Sequence, residues 1–245
     1  MTLTITNREL RLEVAYNVRH IGGYRTQDGR TTSESVIRAA SLHRLSEAGV
    51  RSLAESGVTT VVDLRSTMER ERDVTPDLAG VGLKHVIAPV FEQDQSPVGL
   101  ADEFPGYAVV YQRMLETGRN AYRSLFEVIG DSKGRVLFHC AAGKDRTGVA
   151  AALMLSLAGV DDETIVEDYA VSAELLAPLM TEWLPRMAER GIDESRAQQL
   201  MASPRDDIVA TLGHVSAVYG SPAGYMESIG LSPMSISALR ARLVA

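Results

Sequence analysis

Cys140 is the only cysteine in the chain. It follows the apolar run Val136-Leu137-Phe138 and precedes Ala141-Ala142-Gly143-Lys144-Asp145-Arg146-Thr147-Gly148. That order of residue types suits a nucleophile facing a bound oxyanion. Ala141, Ala142 and Gly143 are small, so the backbone can curl until successive N–H groups converge on one centre. Cysteine thiols beside cations and at helix N-termini lose their proton readily. Arg146 offers a planar fork that matches two phosphate oxygens, and Lys144 adds a point charge beside it. The predicted chemistry is phosphoryl transfer through a phosphocysteine on Cys140. Ala141, Ala142, Gly143, Lys144, Asp145 and Arg146 bind the phosphate, and the Thr147 hydroxyl hydrogen-bonds the departing sulfur. A Walker-type nucleotide loop is excluded in simple form, because Asp145 stands where Ser or Thr would follow the lysine. The plainer alternative is a cysteine that serves only as a small buried hydrophobe.

The elements around this loop are legible. Val136 to Phe138 reads as a strand buried on both faces. Thr147 to Leu157 is apolar nearly all round and reads as a buried helix stopped at Gly159. Strand, tight loop and helix together aim the positive end of a helix dipole at the anion.

The segment His139-Cys140-x-x-Gly143-Lys144-Asp145-Arg146-Thr147-Gly148 resembles the signature of cysteine-dependent protein tyrosine phosphatases. It is closest to the bacterial tyrosine and lipid phosphatase group typified by a mycobacterial secreted tyrosine phosphatase. Gly22-Gly23-Tyr24-x-Thr26-x-Asp28-Gly29 and Tyr219-Gly220-Ser221-Pro222-Ala223-Gly224-Tyr225 resemble the N-terminal and C-terminal blocks of the group. His20 and Ala39 depart from its usual acidic residue and serine. The resemblance implies phosphomonoester hydrolysis on phosphotyrosine proteins, with phosphoserine, phosphothreonine and phosphoinositides as further substrates and inorganic phosphate as product. No metal or cofactor is implied. The leaving group needs a proton. Asp145, which the resemblance places inside the loop, is the first candidate for the acid, and Asp63 is the second, with a structural carboxylate paired with Arg65 as the equal alternative for Asp63. His139 is read as an organiser of the loop rather than a base. Lys144, a second cation in the loop, suits substrates with more than one phosphate or, equally, only pairs with Asp145. A rhodanese-like sulfurtransferase and a catalytically silent phosphate-binding module are the competing readings.

Along the chain, Asp28-Gly29 marks an N-terminal hairpin, and Val36 to Ala39 reads as a strand. Ser46 caps a helix through Glu55. Thr59 to Arg65 is a β-branched run that reads as a central parallel strand, with Asp63 and Arg65 at its carboxyl end, where open α/β sheets bind ligands. The charged tract Glu69 to Asp73 reads as a solvated helix face. Leu83 to Val90 reads as a further strand. Residues 91–106 read as a mobile loop in which Asp94 and Asp102 are weaker acid candidates. Tyr107 to Ile129 reads as one long helical region. Asp161 caps the next helix. Pro178 and Pro185 should kink or split the apolar stretch from Glu174 to Glu189, and residues 165–195 are a candidate hydrophobic lid. Ser203-Pro204 and Ser232-Pro233 open two final helices.

The expected fold is a single α/β domain over residues 1–245: a mostly parallel, tyrosine-phosphatase-like sheet flanked by helices, with extra helices after the catalytic one. The net charge of −7 disfavours a broad nucleic-acid surface, so phosphate affinity must be local. One cysteine permits no internal disulfide and points to a reducing compartment, the cytoplasm, with export lacking a signal peptide left open. No apolar run reaches the length of a membrane-spanning helix, so no stable membrane insertion is expected.

Overall fold

In the computed structural model, which describes residue 12 and residues 14–92, 105–189 and 191–244, one sheet organises the chain. Its strands are β1 (Arg19–His20), β2 (Val36–Ala39), β3 (Val58–Asp63), β4 (Lys84–Ile87) and β5 (Arg135–His139), in the spatial order β1-β2-β5-β3-β4. Strands β2, β5, β3 and β4 run parallel, and only β1 is antiparallel to its neighbour. The expected α/β architecture is therefore observed, with the strand before Cys140 at the centre.

Side chains alternate across a strand, and the apolar residues divide accordingly. Val36, Val62, Val136 and Phe138 enter the main core, whereas Ile37, Val61 and Leu137 enter a second core on the opposite face. Helix α1 (Glu47–Glu55), capped by Ser46, covers the second face through Val50 and Leu53. The main face is covered by α3 (Tyr107–Thr117), α4 (Arg119–Asp131), α5 (Asp145–Ala158), α6 (Asp162–Ala170), α9 (Arg205–Tyr219), α10 (Pro222–Ser228) and α11 (Pro233–Leu243). Helix α5 is buried along nearly its whole length and ends at Gly159, whose left-handed φ of 86° a Cβ would disfavour. Three other helices stand nearer the carboxyl ends of the strands: α2 (Thr67–Arg72), and the pair α7 (Ser172–Ala188) and α8 (Glu194–Met201).

Strand register brings the functional loops together. Asp63 and Ala39 both lie opposite His139, so the segments after β2, β3 and β5 leave the sheet at one level. This is the edge where an open α/β sheet presents its ligand site.

Several elements differ from expectation. The Asp28-Gly29 turn forms, with the Thr26 amide donating to the Arg30 carbonyl, but its residues make isolated bridges, Arg25 to Thr31, Thr26 to Val160 and Thr32 to Val244, and add no strand to the sheet. The region Tyr107 to Ile129 is two helices, because Gly118 interrupts it. A Cβ there would stand 2.6 Å from Val90 Cγ1 and 2.7 Å from the Met114 carbonyl oxygen. Helix α7 is not split by Pro178 and Pro185. Both prolines lie on its exposed side, as do Glu174 and Thr181, whose carbonyls lose their helical partners, so water can take those bonds. The loop carrying Asp94 and Asp102 lies outside the described residues.

The close approach at Gly118 makes a specific prediction. Gly118→Ala should destabilise the fold by about 2 kcal/mol through overpacking, read as a lowered urea midpoint at unchanged slope. A midpoint equal to wild type would show that the α3–α4 junction has room for a methyl group.

Candidate active site

The loop from Cys140 to Arg146 joins the end of β5 to the start of α5. Its carbonyls are held outward one after another. His139 Nδ1 lies 3.2 Å from the Cys140 oxygen. The Ser41 amide donates to the Ala141 oxygen at 3.0 Å. Asn17 Nδ2 donates to the oxygens of Ala142 and Gly143, both at 3.0 Å, and Arg38 Nη2 donates to the Gly143 oxygen at 2.8 Å. A peptide unit is planar, so turning each carbonyl out turns the following N–H in. Among the described residues, no amide from Ala141 to Arg146 has a hydrogen-bond partner. Convergent free amides at a helix N-terminus form an anion cradle. Gly143 permits the tight curl: its φ is 66°, and a Cβ would stand 2.4 Å from the Ala39 carbonyl oxygen.

Behind the loop lies a buried polar network that the sequence reading missed. Asp168, from α6, takes Arg38 Nη1 at 2.5 Å, Arg19 Nε at 3.2 Å and the Tyr24 hydroxyl at 2.8 Å. Arg19 also donates to the side-chain oxygen of Asn17, which fixes the amide that holds the loop. Asn17 sits at φ 54°, a conformation asparagine tolerates better than most residues. The signal was present: Arg38 interrupts the apolar strand Val36-Ile37-Arg38-Ala39, and Asp168 sits between the buried residues Val166 and Tyr169. Charges in such places are rarely left unpaired.

Arg146 is buried in the first turn of α5. Its Nη1 and Nη2 donate to the two carboxylate oxygens of Glu69 at 2.6 and 2.7 Å, and its guanidinium stacks over Phe91 at 4.8 Å. Glu69 was expected on a solvated helix face. Instead it closes a capping box with Ser66 at the start of α2 and turns into the site. Burial pushes its carboxyl up, but the bond from Arg146 outweighs this and lowers its pKa to about 2.

Lys144 is buried and bonded within the protein. Its Nζ donates to the carbonyls of Leu200 and Ala202 at 2.9 and 2.7 Å and lies 4.0 Å from the centre of the Tyr107 ring. Burial lowers its pKa, against the opposing charge of Asp145, whose Oδ1 is 3.3 Å away. The lysine ties the loop to the end of α8. Asp145 is partly exposed, at 20% of its side chain, and the Tyr111 hydroxyl donates to its Oδ1 at 2.7 Å. Tyr111, read from sequence as core packing, thus also positions a candidate acid.

Asp63 is buried and bonded by Arg65 Nε and Nη2 at 3.0 and 2.7 Å. Burial pushes its carboxyl up, but His139, His85 and Arg65 pull it well below the usual carboxylate range. Burial itself lowers His139 to about 4, so that ring is neutral near pH 7 and the Arg65 guanidinium is what holds Asp63 ionised. The Thr147 hydroxyl is buried without a hydrogen-bond partner among the described residues. It is therefore free to serve a sulfur that gains negative charge.

A cavity of about 580 Å³ opens beside Ala141. Its walls come from the segment after β2, the segment after β3 and the inner side of α7, including Arg44, Arg65, Trp183 and Arg186. Among the described residues, no cluster of His, Cys, Asp and Glu could hold a metal ion, and no helix is long and apolar enough to cross a membrane.

Comparison with known proteins agrees with this geometry. The model of a family described as "Tyrosine phosphatase family" matches residues 10–245. A tyrosine-protein phosphatase of Nostoc commune is 31% identical over 229 residues, covering 86% of this chain and 74% of the relative. The triple specificity protein phosphatase PtpB of Mycobacterium tuberculosis is 27% identical over 250 residues, covering 85% of this chain and 90% of the relative. Among solved structures, P. aeruginosa TpbA is similar with a TM-score of 0.32 and 21% identity, over 56% of this chain and 69% of that one. The sulfurtransferase alternative gives way to the family match.

The Arg146–Glu69 pair predicts the behaviour of Glu69→Gln. Because the folded pKa of Glu69 lies below its ordinary 4.5, its contribution to stability is present above pH 4.5 and lost as pH falls toward 2. The variant should be less stable by about 2 kcal/mol at pH 7, and the difference should vanish near pH 2 in urea titrations. Its kcat/KM on p-nitrophenyl phosphate should fall at least about tenfold, because Arg146 loses its orientation. An unchanged kcat/KM would remove Glu69 from the site.

Proposed function

Since this chain belongs to the tyrosine phosphatase family and is an enzyme of the protein-tyrosine or dual-specificity type, we propose that it hydrolyses phosphomonoesters through a phosphocysteine on Cys140. The observation that carries the reading is the ring of unpaired amides from Ala141 to Arg146. The amides and Arg146 hold the three equatorial oxygens of the phosphoryl group. The Cys140 thiolate attacks phosphorus, the phosphorus–oxygen bond to the substrate breaks, and the leaving oxygen takes a proton. Water then attacks the phosphocysteine, the sulfur–phosphorus bond breaks, and inorganic phosphate departs. The Thr147 hydroxyl stabilises the returning thiolate.

Asp145 supplies and then recovers the proton. It opens α5 directly after the loop, is partly exposed, and accepts a hydrogen bond from Tyr111. Asp63 suits the role poorly, because a group locked ionised by a bidentate arginine has no proton to give at neutral pH. Phosphotyrosine proteins are the primary substrate class in this reading, which the name of the Nostoc relative supports. The triple specificity of the mycobacterial relative's name supports extension to other phosphomonoesters, including phosphoserine, phosphothreonine and phosphoinositides.

The pair α7–α8 forms a lid over the cradle in this reading. It packs through its own small cluster, in which Leu176, Leu179 and Met201 meet Ala40 with Ala142 and Trp183 beside them. Lys144 and an Arg44–Glu182 ion pair tie it down. The sequence reading began this lid at residue 165, but Ile165, Val166 and Tyr169 belong to the main core, so the movable part starts at Ser172.

Two measurements test these assignments. Cys140→Ser should lower turnover at least about a thousandfold while retaining phosphate binding, and near wild-type turnover would overturn the mechanism. Asp145→Asn should remove the basic limb of the pH–rate profile. Loss of that limb in Asp63→Asn instead would reassign the acid. For the lid, hydrogen exchange in residues 172–201 should be faster than in α5 and should slow when inorganic phosphate is added. Protection equal to that of α5 in both conditions would mean that the pair is simply part of the packed body.

A further inference from the structure

Two buried tyrosines stand behind Asp145, and their hydroxyls form a chain that ends on one of its two carboxylate oxygens. The Tyr111 hydroxyl, from α3, lies 2.7 Å from Asp145 Oδ1 and 2.6 Å from the Tyr169 hydroxyl of α6. A phenol has one proton to donate. Tyr111 gives its proton to the carboxylate, so Tyr169 must give its own to Tyr111, and the chain runs in one direction. Burial first, and then the charge of Asp145, push both phenols above their usual pKa, so both are protonated donors at neutral pH. The two rings meet edge to face with centroids 6.0 Å apart, which limits their freedom to turn away. Lys144 Nζ stands on the same carboxylate oxygen, 3.3 Å from Oδ1. Oδ2, by contrast, accepts no hydrogen bond from any described residue. The other charged groups facing this chain are Arg146 on α5, Arg38 on β2, Arg196 on α8 and Asp207 on α9.

We infer that Tyr111, backed by Tyr169, is the positioning residue of the general acid: with Lys144 it holds Oδ1 as the unprotonated oxygen, so the transferred proton is carried on Oδ2. The inference rests on the phosphatase reading and on Asp145 as its acid. An oxygen that already accepts a phenol proton and faces an ammonium is a poor place for a further proton, which leaves Oδ2 as the protonated atom of the acid form. As the phosphorus–oxygen bond breaks, its electron pair goes to the leaving oxygen, which takes the proton from Oδ2. The carboxylate is then ionised, and Oδ2 recovers a proton from the water that attacks the phosphocysteine. A hydrogen bond to a charged acceptor is stronger than one to a neutral acceptor. The bond from Tyr111 therefore strengthens as the proton leaves, and an interaction stronger in the transition state than in the ground state accelerates the step. Tyr169 supports this by donating to the Tyr111 oxygen, which makes Tyr111 a better donor in turn.

The test compares the full chain with Tyr111→Phe, Tyr169→Phe, Asp145→Asn and the double variant Asp145→Asn/Tyr111→Phe on two substrates. Phenyl phosphate has a leaving group that needs the proton, whereas p-nitrophenyl phosphate releases a phenolate stabilised by its nitro group and needs it less. At the pH optimum of each protein, Tyr111→Phe should lower kcat/KM about tenfold more on phenyl phosphate than on p-nitrophenyl phosphate, the effect of losing one hydrogen bond to a charged group. Its basic limb should move to higher pH, because a donor that favours the ionised carboxylate is gone. Tyr169→Phe should move both readouts in the same direction by less. In the Asp145→Asn background, Tyr111→Phe should add nothing to the difference between the substrates, since its effect passes through Asp145. An equal loss on both substrates with an unmoved limb would overturn the inference, as would a Tyr111 effect of full size without Asp145. If Tyr111→Phe does not fold, Tyr169→Phe decides by the same two readouts, and an unmoved limb there overturns the chain. A basic limb retained by Asp145→Asn would instead remove Asp145 as the acid, and a wild type that hydrolyses neither substrate would remove the phosphatase reading.

Discussion

The structure depends on keeping a run of backbone amides unpaired inside an otherwise well-bonded protein. Buried N–H groups without partners are costly, so a fold holds them this way only when their carbonyls are firmly occupied elsewhere. Here four consecutive carbonyls, from Cys140 to Gly143, are bonded outward by His139, the Ser41 amide, Asn17 and Arg38. The segments around Asn17 and the strand β2 are distant in sequence from the loop. They act as its outer mould, and the rigidity of the peptide plane transmits their grip to the amides.

The same logic governs charge. The chain is acidic overall, with a formal net charge of −7, yet the site is built from buried arginines. Each has a carboxylate that fixes its plane: Glu69 for Arg146, Asp168 for Arg19 and Arg38, Asp63 for Arg65. Removing one partner from such a pair leaves an uncompensated buried charge, which costs more than the pair contributes. The carboxylates therefore orient as much as they neutralise. Lys144 is accommodated differently, by two carbonyls, a tyrosine ring and Asp145. That lets a cation in the loop tie it to the end of α8.

Local periodicity made much of the fold readable. The β-branched run ending at Asp63, the all-apolar α5 stopped by Gly159, and the caps at Ser46, Asp161 and Ser232 are each decided within a few residues, and each appears as expected. The failures share a physical cause. Glu69 sits in a charged tract that reads as solvent-facing, and only the turn of α2 against the loop shows that one of those charges is used. Tyr111 has core spacing and is core, but its hydroxyl reaches Asp145 across the interior. Gly118 splits a helical region because of Val90, a contact that no local window contains.

The sequence by itself determined the make-up of the loop: a cysteine, small residues around it, an arginine and a hydroxyl at fixed spacing, between a buried strand and a buried helix. Those features are local, because spacing along a curled backbone is set by covalent geometry. Only the tertiary structure decided which charged groups serve the loop, since ion pairs join residues that sequence separates widely, as Arg38 and Asp168 do. It tied Lys144 to the carbonyls of Leu200 and Ala202 and brought Glu69 to Arg146. The reason is the low dielectric of the interior: a buried charge must find its partner wherever the fold places one.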